Sequence, residues 1–272
     1  MNRQPAVAGS FYSNDAHSLK EEVKRHIKHG AEKKAPEKIH AIGIVSPHAS
    51  FMYSGDVAGA VYSRIDIPDT IILMGPNHTG LGERVSIMTE GIWNMPQGDI
   101  AIDSKLADPI CQASLIAKKD NQAHQREHSL ETQLPFLQFY RDEFKIVPIC
   151  MMRLGLDECE EISRAIVKAV EQTGHSVLIV ASSDMSHYET HESASKKDKS
   201  AINQILKLDA KGLYNTVHDK NISMCGVNPT TVMLMCADKM GAKEALLARY
   251  MTSGEVSGDM NHVVGYAGVI VL

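Results

Sequence analysis

The sequence predicts an α/β fold, and three observations carry that expectation. Short apolar runs rich in Val and Ile recur along the 272 residues. They are unbroken rather than alternating, the pattern of strands covered on both faces. Stretches of helical period lie between them, which places helices on both sides of a sheet. No internal repeat, low-complexity tract or long linker interrupts the chain, so one domain over residues 1–272 is expected.

The first element is a helix over 15–29, where Leu19, Val23 and Ile27 fall four apart and Gly30 ends the pattern. Residues 28–38 are the most polar stretch and read as a loop. Strands follow at 39–46, 70–74 and 85–88. A helical stretch opens at Glu127-His128-Ser129-Leu130-Glu131, with Leu130, Leu134 and Leu137 toward the core. The next strand is 145–150. A helix over 157–173 has Asp157 as its cap, Glu160 at the capping-box position and Gly174 as terminator. After a strand at 177–181, Asn228-Pro229 reads as a cap followed by proline at the first helical position. That helix runs through Met240 to Gly241, and a last strand occupies 263–272.

Composition excludes several classes of function. Apolar residues make up 43% and charged residues 22%, values of an ordinary globular chain. With 28 basic against 33 acidic residues the net charge is −5, and the pairs Lys33-Lys34 and Lys196-Lys197 stand apart, so no nucleic-acid footprint is expected. The N-terminal residues hold one basic residue and no apolar core, unlike a secretory signal. The longest uncharged stretch, 222–237, is shorter than the roughly 20 residues of a membrane span and contains Pro229. Five cysteines without a CxxC pair point to a reducing, cytoplasmic compartment.

The polar residues that follow the strands are the informative ones. The strand at 39–46 runs into Pro47-His48-Ala49, that at 70–74 into Gly75-Pro76-Asn77-His78, and that at 177–181 into Ser182-Ser183-Asp184-Met185-Ser186-His187. Ligands of open α/β sheets bind beyond the carboxyl ends of strands. Three strands that each end in a turn and a histidine therefore point to one shared site, although any one of them alone reads as a solvated loop residue. His128 and Glu131, three apart, would share a helical side, either orienting a ligand or forming a surface pair. Cys225 precedes the helix at Asn228, where a thiolate is favoured, while a small buried hydrophobe is the alternative. Two histidines and a thiolate make a soft, incomplete ligand set suited to copper, iron or zinc. Gly80-Leu81-Gly82 lacks the rest of a phosphate loop, and neither HExxH nor GxSxG occurs.

Six segments together resemble the Memo family (mediator of ErbB-driven cell motility). They are Pro5-Ala6-Val7-Ala8-Gly9-Ser10-Phe11-Tyr12, Pro47-His48-Ala49, Gly75-Pro76-Asn77-His78, Glu127-His128-Ser129-Leu130-Glu131, Ser182-Ser183-Asp184-Met185-Ser186-His187 and Val264-Gly265-Tyr266-Ala267. The resemblance implies a sandwich with a central, mostly buried mixed β-sheet flanked by helices, similar to the class III extradiol ring-cleavage dioxygenases. In those enzymes two histidines and a glutamate hold the metal, and in Memo proteins a cysteine replaces the carboxylate. Carried over by motif, His48, His78 and Cys225 would hold Fe(II) or copper, with zinc as a further candidate. His187 would take the place of the catalytic histidine with Asp184 beside it, and His128 and Glu131 would line the pocket. A thiolate in place of a carboxylate softens the site toward copper and exposes an oxidisable ligand.

The expected function is a metal-dependent redox protein with a small-molecule or peptide ligand in its pocket. The alternatives are a non-catalytic peptide- or metal-binding signalling protein, a hydrolase with Cys225 as nucleophile and His187 or His128 as base, and a zinc hydrolase on the same ligands. In prokaryotes the resemblance further implies AMMECR-type and radical SAM partners.

Overall fold

A computed structural model describes residues 2–30 and 38–272. The chain opens with β1 (Asn2–Arg3) and α1 (Ala16–Gly30), then β2 (Gly43–Ser46) and α2 (Phe51–Tyr62). Next come β3 (Thr70–Pro76), β4 (Val85–Ile87), β5 (Ile92–Trp93), β6 (Ile100–Ile102), α3 (Ser104–Ala113) and β7 (Ala117–Lys119). A 3₁₀ turn at Glu131–Gln133 leads into α4 (Leu134–Tyr140), followed by β8 (Lys145–Met151), α5 (Leu156–Thr173) and β9 (Val177–Ser182). The last third holds β10 (His187–Glu189), α6 (His191–Leu206), α7 (Ala210–Asp219), α8 (Val227–Lys239), β11 (Ala245–Thr252), the short α9 (Gly254–Ser257) and β12 (Val263–Val271).

One mixed sheet runs through the chain in the order β1-β5-β6-β8-β3-β9-β2-β12-β10. Its centre, β8-β3-β9-β2, is parallel, and β12 joins β2 antiparallel. Strand residues alternate between two cores. Ile44, Ile71, Leu73, Ile146, Leu178 and Val180 pack with Leu19 and Val23 of α1 and with Tyr62 and Phe136 on one face. Val45, Ile72, Met74, Val147, Ile179 and Ala181 face Ile162 and Ile166 of α5 and Val232 and Met233 of α8 on the other. Both faces being buried, the strands read as continuous apolar runs. Among the described residues, no helix is long and apolar enough to cross a membrane.

Each expected strand is present, β2 being shorter than the 39–46 run because Ile39 makes only an isolated bridge to Ile65. The helix ends differ from expectation. Gly155, not Asp157, caps α5, and Glu158, not Glu160, accepts the Gly155 N–H at 2.8 Å. Gly174 does end it in the left-handed conformation, with φ +67°. Gly226 caps α8, and Asn228 lies inside its first turn. The Asn228 amide is drawn instead to Leu154, accepting its N–H at 3.2 Å and donating to its carbonyl at 3.0 Å. His128 lies before the 3₁₀ turn that contains Glu131, so the two do not share a helical face. Of the loop expected at 28–38, residues 28–30 are helical and 31–37 lie outside the described residues.

Helix α2 gave no amphipathic signal because nearly all of it is buried between α1 and the sheet. A helix that is apolar all round announces itself by burial rather than by a stripe.

A polar chain crosses the core at His124, which is fully buried. Burial and the charge of Arg3 depress its ring to about 4. Ser86 Oγ–H donates to Asp120 Oδ2 at 2.8 Å, so Ser86 Oγ accepts His124 Nε2–H at 3.1 Å. The Cys150 thiol, pushed up by burial, then donates to Nδ1 at 3.3 Å. A base depressed on folding contributes stability above its unfolded value near 6.5. That stability is lost as pH falls through 6.5 toward the folded value, because only the unfolded chain accepts the proton there. About 3 kcal/mol is expected to disappear between pH 6.5 and 4 through this residue. Urea denaturation across that range checks it, and His124→Gln should flatten the slope.

Candidate metal centre

The register Ser46↔Ser182 and the pairing of β3 with β9 bring the carboxyl ends of β2, β9 and β3 side by side. The three strand-end segments seen in the sequence therefore meet at one rim, as open parallel sheets require.

His48 is buried under this rim. Its backbone N–H donates to Asp184 Oδ1 at 2.8 Å, and its Nδ1 lies 2.8 Å from Ser182 Oγ. The single Ser182 hydroxyl proton goes to the Ser129 carbonyl at 2.6 Å. Ser182 must therefore accept from His48 Nδ1–H, as it also accepts from Gln133 Nε2 at 3.0 Å. That fixes the tautomer and leaves the His48 Nε2 lone pair free to coordinate. Burial, then the neighbouring His78 and His128, hold this ring well below its ordinary value, so it is neutral at pH 7.

Cys225 Sγ lies 3.3 Å from His48 Nε2 and accepts the Asp184 N–H at 3.2 Å. Burial, and then the Asp184 carboxylate, push the thiol up, so without a cation the pair is S–H···Nε2. The loop reaches the rim because residue 226 is glycine. A Cβ there would sit 2.3 Å from the Ser182 carbonyl oxygen and 2.4 Å from Ser183 Cβ.

His78 is held from behind by Glu127. The Glu127 carboxylate accepts the His78 N–H at 2.6 Å and Nδ1–H at 2.9 Å, and also the N–H groups of His128 and Ser129, each at 2.9 Å. Burial opposes the ionised carboxylate, but these contacts, with His78 first, carry Glu127 down to about 2. Burial likewise opposes the His78 cation, yet Glu127 outweighs it and raises the ring. A carboxylate on the outer nitrogen of a histidine is the usual support of a metal-ligating imidazole.

His128 completes the group. Its ring stacks on His78 with centroids 4.7 Å apart and meets His48 edge-on at 5.5 Å, and Phe11 closes the far side at 5.0 Å. Burial lowers it. The ligand atoms of His48, His78 and His128 all lie within 4.8 Å of one another. Two nitrogens bound to one ion stand at most about 4 Å apart, so small side-chain adjustments would let these three share a cation. The Cys225 sulfur touches His48 Nε2 at 3.3 Å but lies outside that group, and a further movement would have to bring it onto the same ion. Imidazole and thiol donors fit iron, copper or zinc and suit magnesium or calcium poorly.

The remaining expected residues lie in different surroundings. Asp184 is buried, its carboxyl raised by burial, and it serves the His48 backbone. Ser223, not Asp184, orients His187. Its hydroxyl accepts the His187 N–H at 2.7 Å, and its carbonyl accepts Nδ1–H at 2.9 Å, which leaves Nε2 as the basic nitrogen. Glu131 points away from the pocket. Its carboxylate pairs with Arg3 at 2.7 Å and accepts the Ala6 and Val7 N–H groups and the Tyr12 hydroxyl. Sequence reasoning missed Glu127, Ser182 and Ser223. An acid directly before His128 was the available signal for the first, and the other two carried none.

A mixed α/β sandwich with clustered imidazoles and a thiol at the ends of its parallel strands defines a class of protein with a metal-capable rim site. The chain belongs to the Memo family: the family model described as "Memo-like protein" matches residues 3–270. It is similar to a "MEMO1 family protein" of Methanosarcina acetivorans, 44% identical over 99% of this chain and 98% of the relative. Similar proteins of Desulfurococcus amylolyticus and Methanopyrus kandleri are 43% identical (98% of each chain covered) and 40% identical (99% of each).

Proposed function

We propose that the chain is a non-haem iron or copper redox protein that acts on a small organic molecule at the strand rim, in a reducing compartment such as the cytoplasm that keeps its five free thiols. The observation that carries this is the grouping of His48, His78 and His128, with Cys225 Sγ 3.3 Å from His48 Nε2. His48, His78 and Cys225 would be ligands, and the stacked His128 a fourth donor or a wall. When bound, the metal supplies one-electron chemistry and an open position for substrate or oxygen. The chain's own residues do the rest. Ser182 and Glu127 orient the two imidazoles through their outer nitrogens. His187, held by Ser223, takes or gives a proton at Nε2.

Metal-free attack by Cys225 with His48 as its base is disfavoured. The thiol is pushed up while this imidazole is pushed down, so the proton stays on sulfur in the contact between them.

Metal analysis of anaerobically purified protein tests the proposal. About one iron or copper per chain is expected in the wild type and a small fraction of that in a variant combining His48→Ala, His78→Ala and Cys225→Ser. Unchanged metal content in that variant overturns it.

A further inference from the structure

A cleft of about 470 Å³ opens beside the rim and shares His78 and Cys225 with it. That volume lies in the range of small-molecule sites. One wall is apolar, built from Met151, Met152, Val217, Ile222 and Met224. The chain carries 33 acidic residues against 28 basic ones, yet among the described residues no aspartate or glutamate lines this cleft. Among the described residues its one charged side chain other than histidine is Arg153, which is exposed. Among the described residues no carboxylate pairs with it: Arg84 reaches past it to Glu158 and takes only the Arg153 carbonyl. His218 also lines the cleft, with Nδ1–H given to the Tyr214 carbonyl at 2.7 Å, so Nε2 is its remaining polar atom. The N-terminus of α8 adds polarity of the same sign.

We propose that this cleft binds a small organic anion whose acid group pairs with Arg153 and whose apolar body lies on the methionine-lined wall, with its other end toward His78 and Cys225. This deepens the proposed function by naming the substrate class. An unpaired guanidinium is a ready partner for a carboxylate or a phosphate, since its fork matches both. Thioether walls adapt to flexible apolar bodies.

Calorimetric titration of the full chain, metal-free and loaded with Zn(II), tests it with three probes: 4-phenylbutyrate, 2-phenylethyl phosphate and the neutral 4-phenylbutan-1-ol. At least one acid should bind, with the alcohol about tenfold or more weaker, and the stronger acid tells carboxylate from phosphate. Arg153→Gln should weaken the acids about tenfold or more while leaving Tm and Zn(II) affinity unchanged. Arg153→Lys should restore part of the loss. Equal binding of alcohol and acids, acid binding indifferent to Arg153→Gln, or no binding of either acid at millimolar concentration overturns the inference. If Zn(II) fails to bind while the acids still require Arg153, the metal proposal falls and the anion site stands.

Discussion

Replacing Arg3 by methionine is expected to remove about 3–5 kcal/mol of stability, a large part of the 5–15 kcal/mol that a domain has. Arg3 is only 2% exposed, and its guanidinium is almost fully used. It pairs with Glu131 at 2.7 Å, donates to the carbonyls of His124 and Glu127 at 2.6 Å each, and lies 4.0 Å from the Trp93 ring centroid. Without it, the Glu131 charge stays buried among neutral donors and the carbonyls of His124, Glu127 and Gln4 each lose a donor, which is the costly way to break a buried pair. Adding Glu131→Gln should recover part of the loss, because the stranded charge is gone. Chemical denaturation of the two variants checks both statements. Equal stability of Arg3→Met and wild type would show that the clamp contributes nothing.

Glu127→Gln is expected to weaken metal binding about 10–100-fold with a smaller cost to the fold, about 1–3 kcal/mol. One carboxylate accepts four N–H groups there, from the His78 ring, the His78 backbone, His128 and Ser129. A glutamine side chain offers one acceptor oxygen and turns an NH₂ group toward donors. His78 would lose both its fixed tautomer and the negative charge behind it. Competition of the variant against a chelator, beside its denaturation curve, separates the two effects. Wild-type affinity in Glu127→Gln would mean that the contact with His78 does not support a ligand.

The central sheet was legible because β3, β8 and β9 are buried on both faces, which writes an apolar run into the sequence. Helix α5 was legible because it buries one stripe. Helix α2, buried nearly all round, wrote no stripe, and the caps of α5 and α8 moved to glycines once side chains such as Asn228 found tertiary partners. The histidines at the ends of β2 and β3 were legible from strand-then-turn spacing alone. What escaped was the support behind them. Glu127 and Glu131 occupy the same short motif and are both buried carboxylates, yet one holds His78 and the other ties down the N-terminal segment from Arg3 to Tyr12. Local sequence holds nothing that assigns those two roles, because each is set by residues roughly 50 to 125 positions away. The Phe11-Tyr12 pair is similar: it reads as a motif, and its work is to pack on His128 and to bind Glu131.

Anaerobic titration with Co(II), followed by visible absorption, tests the metal centre most directly. One equivalent per chain is expected, with the ligand-field bands of a low-coordinate nitrogen and sulfur site and a thiolate-to-cobalt band that Cys225→Ser abolishes. His48→Ala with His78→Ala should remove the whole spectrum while the protein stays folded. Saturation without a sulfur band would mean that Cys225 is not a ligand, and a spectrum untouched by loss of both histidines would mean that this cluster holds no ion.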